Sequence, residues 1–62
     1  MTDREILFEI QPFGNVLRVI AVDAATGIEV TIVGDPRMNT RDLQALARRK
    51  LDYVMAKQEK PR

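Results

Sequence analysis

At 62 residues the chain lies near the lower size limit for a self-sufficient core, so it holds one domain at most and buries only about 60% of its unfolded surface. Apolar residues at 45% and charged residues at 31% describe a globular balance and exclude a disordered chain, while a net charge of +1 excludes an overall field toward nucleic acid, anionic membrane or acidic substrate. Cysteine, histidine and serine are absent, which removes disulfides, thiolate metal ligands and the side chains most often used in catalysis.

The start, Met-Thr-Asp-Arg-Glu, does not lead from a basic end into a long apolar run, and no apolar segment approaches the roughly 18 residues of a membrane span. A cytoplasmic protein with no membrane partner is expected.

Three runs rich in Ile and Val, at 6–11, 16–23 and 28–33, are bounded by turn residues and predict strands. Gly14-Asn15 is a two-residue connection with Gly first, which suits a type II′ hairpin and pairs Phe13 with Val16, Ile10 with Val19 and Phe8 with Ala21. Ala24-Ala25-Thr26-Gly27 ends in the Gly expected at a left-handed position and pairs Asp23 with Ile28, Ala21 with Val30 and Val19 with Ile32. The two turns independently place the same central-strand residues on one face. That core face is Ile6, Phe8, Ile10, Leu17, Val19, Ala21, Ile28, Val30 and Ile32. The opposite face carries Leu7, Glu9, Gln11, Arg18, Ile20, Val22, Glu29, Thr31 and Val33, with no aromatic among them.

Gly34-Asp35-Pro36-Arg37 ends the third strand, because Pro36 offers no ladder donor and biases Asp35 away from helix. A helix follows, capped by Asn39 or Thr40, with Asp42 favourable in its first turn and Pro61 bounding its far end. At about 100° per residue Leu43, Leu46, Ala47, Leu51 and Val54 form one apolar stripe, bordered by Met55 and Tyr53. The expected fold is α+β: a three-stranded antiparallel sheet in β-β-β-α order, with the C-terminal amphipathic helix on one face. The single domain is expected to be ordered over about 5–57, with 58–62 a frayed tail.

Few residues invite chemistry. Glu5, Glu9 and Glu29 share a sheet face, but Glu9 falls opposite Ile20 and Glu29 opposite Val22, across the central strand from each other. Edge charges that discourage aggregation account for them, and no catalytic residue, cofactor or metal is expected. Arg37 and Arg41 flank the predicted helix N-terminus, where backbone donors favour an anion, although Asp35 and Asp42 stand ready to neutralise them. Arg48-Arg49-Lys50 invites a nucleic-acid reading, but helical geometry disperses the three: Arg48 lies one turn before Asp52, and Lys50 points along the apolar stripe. Some domains of this element order lay the outer sheet face in the DNA major groove, yet this face has Arg18 against two glutamates.

The more telling group is apolar. Leu7, Ile20, Val22 and Val33, with Arg18 among them, lie on the face that a single helix leaves in water, and such patches mark contacts. A non-enzymatic protein-interaction module is expected, self-associating through Leu7, Arg18, Ile20, Val22 and Val33. The alternative is nucleic-acid or anion binding through Arg37, Arg41, Arg48 and Arg49.

In Val30-Thr31-Ile32-Val33-Gly34-Asp35-Pro36 and Leu46-Ala47-Arg48-Arg49-Lys50-Leu51-Asp52-Tyr53-Val54 the chain resembles a family of short uncharacterised proteobacterial proteins, the likeness running from about Glu5 to Ala56. The family has no assigned activity, so the resemblance implies a bacterial cytoplasmic protein and carries no functional residues across.

Overall fold

A computed structural model of the chain describes residues 5–59. The strands β1 (Ile6–Phe13), β2 (Val16–Asp23) and β3 (Glu29–Gly34) form one antiparallel sheet in the order β1-β2-β3, and the helix α1 (Thr40–Glu59) follows. The α+β class, element order and both registers are those expected: Phe8 pairs with Ala21, Ile10 with Val19, Ala21 with Val30 and Val19 with Ile32.

Both turns have the backbone their glycines were expected to supply. Gly14 has φ +63° and no non-glycine residue among those described has positive φ, so Asn15 does not either, which separates type II′ from type I′. Gly27 has φ +79°, and its N–H donates to the Asp23 carbonyl at 2.8 Å. The buried Asp23 carboxylate organises the rest of that turn, its Oδ1 accepting from Ala25 N at 2.9 Å and Thr26 N at 3.0 Å.

β1 runs two residues past its expected end, through Pro12 to Phe13. The hairpin register explains why proline is tolerated there. Ala24 N donates to the Glu5 carbonyl, so odd-numbered β1 residues bond to β2 and even-numbered ones face outward. Pro12 therefore lacks only a donor that the sheet does not use.

On the other side of the sheet, α1 begins at a cap. Asn39 Oδ1 accepts from Arg41 N at 2.8 Å, and the Asn39 carbonyl accepts from Leu43 N at 3.1 Å. The helix extends to Glu59, taking in Gln58 and Glu59; residues 60–62 of the expected tail lie outside the described residues. Its buried stripe is Leu43, Ala47, Leu51 and Met55, packed on Val19, Ala21 and Val30. This corrects two assignments: Leu46 is 43% exposed and Met55 is buried. At about 100° per residue, Leu46 lies roughly 120° from the centre of the i, i+4 stripe that the sheet selects.

The helix rests chiefly on β2 and β3. Leu43 reaches the end of β3, where its side chain occupies the space a Cβ on Gly34 would need. Beneath the helix's far flank, Ile6, Phe8 and Ile10 of β1 are half-buried.

Gly34→Ala is accordingly expected to cost about 1–3 kcal/mol of unfolding free energy in urea melts, because it overpacks a filled core. Leu43→Val, which removes the crowded methyls, should make the double variant less destabilised than the sum of the singles. Simple additivity would count against the close approach as the cause.

Candidate interaction surface

The face of the sheet turned away from α1 carries Leu7, Glu9, Gln11 and Phe13 from β1, Val16, Arg18, Ile20 and Val22 from β2, and Glu29, Thr31 and Val33 from β3. No described element covers it. Leu7 is 52% exposed, Val33 63% and Phe13 64%, whereas Ile20, Val22 and Arg18 are half-buried among their neighbours. The five residues expected to form an interaction face are thus brought together on one surface.

That face was expected to hold no aromatic, and Phe13 corrects this. Because β1 continues past Pro12, alternation delivers Phe13 to the outer face opposite Val16. Arg18 Cζ stands 5.7 Å from the centre of the Phe13 ring, a cation–π contact worth on the order of 0.5–1 kcal/mol where exposed. The signal in the sequence was the unbroken period of two from Leu7 to Phe13, which the proline concealed.

Charges sit around the rim. Glu9 faces Ile20 and Glu29 faces Val22, on opposite sides of the central strand, and Glu9 accepts from Gln11 Nε2 at 2.9 Å. Among the described residues no group of three or more acidic side chains could hold a metal ion. No helix among them is long and apolar enough to cross a membrane.

The basic residues weighed as an anion or nucleic-acid site do not converge. Arg37 forms a fork with Asp35, donating from Nε to Oδ1 at 3.2 Å and from Nη2 to Oδ2 at 3.0 Å, while Arg37 N also donates to Oδ1 at 2.8 Å. Arg37 holds the Asp35 carboxyl below its ordinary value of 3.8, first through the guanidinium and then through its backbone N–H, and Asp35 in turn raises Arg37. Arg41 is exposed in the first turn of α1, beside the cap that Asn39 fills. Arg48 Nε lies 3.7 Å from Asp52 Oδ2, a half-exposed i, i+4 pair of small energetic worth. Arg49 is exposed about 100° further round the helix. Lys50 extends along the apolar stripe to β3, where its ammonium donates to the Thr31 carbonyl at 3.2 Å.

The model of a family described as a domain of unknown function (DUF6898) matches residues 3–58, and the chain belongs to that family. No curated protein and no solved structure gives a significant match.

The Asp35 fork has a pH signature. A depressed folded-state pKa contributes stability above the unfolded value, and that contribution is lost as pH falls through the folded pKa. In a carboxyl-carbon NMR titration Asp35 is expected to titrate below 3.8, and Arg37→Gln to return it toward that value. An Asp35 already at 3.8 in the wild-type chain would show that the fork does not persist in solution.

Proposed function

We propose that the chain is a non-enzymatic interaction module of a bacterial, cytoplasmic protein, and that the partner of its outer sheet face is a second copy of the same chain. The observation that carries this is the uncovered face itself, with Leu7, Val33 and Phe13 exposed around Ile20 and Val22. A domain of this size has little stability to spare, and apolar area in water is worth about 25 cal/mol per Å² when covered.

One oppositely charged pair on the face, Arg18 and Glu29, supports self-association. Along the sheet, Arg18 lies two residues to one side of Ile20, and Val22 with its neighbour Glu29 lies two residues to the other. A two-fold axis through Ile20, in the plane of the face and across the strands, stacks Arg18 of one copy over Val22 of the other, beside that copy's Glu29. Arg18 and Glu29 then meet beside a shared apolar centre, while Glu9, level with Ile20 on the axis, meets Glu9 of the second copy at the rim and weakens the contact.

Area limits the strength of this contact. Three strands of up to eight residues present a face of roughly 26 by 14 Å. That is well under the ~800 Å² per partner of a standard interface, so a weak, concentration-dependent association follows. Nucleic-acid binding has less support, because Arg37 and Arg48 are paired with carboxylates and the remaining arginines are dispersed.

In sedimentation equilibrium the weight-average mass is expected to rise with concentration, and Ile20→Glu to lower it while leaving the circular dichroism spectrum intact. Association unchanged by Ile20→Glu would sink the face contact.

A further inference from the structure

The two edges of the sheet are not equivalent. On β3 the register turns the backbone groups of Glu29, Thr31 and Val33 away from β2, and Lys50 reaches across that edge to cap one of them, the Thr31 carbonyl. On β1 the outward groups belong to Ile6, Phe8 and Ile10, and among the described residues none of them makes a hydrogen bond. The side chains of the same three residues point to the helix side and are half-buried, because α1 lies over β2 and β3. Unpaired backbone and under-covered apolar side chains thus coincide on one strand.

Beyond the face contact, we propose that β1 pairs edge to edge with β1 of a second copy, antiparallel about a two-fold axis at Phe8, giving a continuous six-stranded sheet. This register sets Phe8 against Phe8 of the second copy and Ile6 against its Ile10. One apolar row then runs beneath the gap between the two helices. About six backbone hydrogen bonds form across the three pairs.

Charge disfavours the two adjacent registers. An axis at Glu9 would set Glu9 directly against Glu9 of the second copy, and an axis at Leu7 would set Glu5 against its Glu9. The axis at Phe8 instead puts Leu7 opposite Glu9 on the outer face and avoids both direct clashes. Both helices stay on one side of the joined sheet, so the outer face remains open and the two contacts do not compete.

Ile10→Pro tests the edge selectively. The Ile10 N–H faces outward, so proline removes no bond of the β1–β2 ladder but removes donors from the joined sheet. Sedimentation equilibrium on wild type, Ile20→Glu, Ile10→Pro and the double variant reads the outcome, with circular dichroism and urea melts confirming folding. Ile20→Glu is expected still to associate, Ile10→Pro to weaken association by about tenfold or more, and the double variant to be monomeric. Ile10→Pro that folds and associates as wild type does would overturn the edge contact and leave the face contact standing. Loss of all association in Ile10→Pro, with Ile20→Glu unchanged, would leave the edge and sink the face.

The absence of cysteine gives a second measurement that does not depend on proline. Mixing Leu7→Cys with Glu9→Cys chains under mild oxidation is expected to give the mixed disulfide in preference to either homodimer. A preference for a homodimer, or no cross-link, overturns the register.

Discussion

Leu43 lies against Gly34, filling the space that any side chain at the end of β3 would take. This close approach fixes where the helix sits. A glycine at the last strand position lets α1 descend onto β3 and β2 one turn after its Asn39 cap, and the i, i+4 ladder of Leu43, Ala47, Leu51 and Met55 then follows the same line. Leu46 and Tyr53, on the flank that this orientation turns outward, are left in solvent. Lys50, between that flank and the core, is carried to within hydrogen-bond reach of the β3 edge.

The same off-centre seat leaves β1 under-covered. One amphipathic helix has an apolar stripe wide enough for about two strands, so a three-stranded sheet beneath it has one strand whose inner side chains are only partly shielded. Here that strand is β1, with Ile6, Phe8 and Ile10, while the whole outer face lies beyond any helix. The protein therefore carries two regions of incomplete burial: the outer face centred on Ile20 and Val22, and the edge and inner row of β1. In a larger domain a second helix layer would cover the first and a further strand the second. In a chain of this size another molecule can supply the cover.

Much of this was legible along the chain because turns and strand alternation are local. Gly14-Asn15 and the Gly27 loop determine two registers, and those registers decide which side of the sheet every strand residue takes, including Leu7, Arg18, Ile20, Val22 and Val33 on the outer face. Local rules misjudged only what a neighbour decides. Pro12 resembles a strand terminator until its missing N–H is seen to face outward, and with it Phe13 was left off the face to which it belongs. The apolar residues of α1 admit two overlapping stripes, one through Leu46 and one through Met55.

By itself, then, the sequence determined the element order, the turn geometry and the pairing of the strands, since each follows from φ preferences and a period of two acting over a few residues. Only the tertiary structure decided which flank of α1 is buried, and that Lys50 reaches the Thr31 carbonyl on one sheet edge while the inner row of the other edge is under-covered. The physical reason is reach. Those outcomes depend on where the helix lands across the sheet, and that is settled by the contact between Gly34 and Leu43, two residues that no local pattern marks as partners.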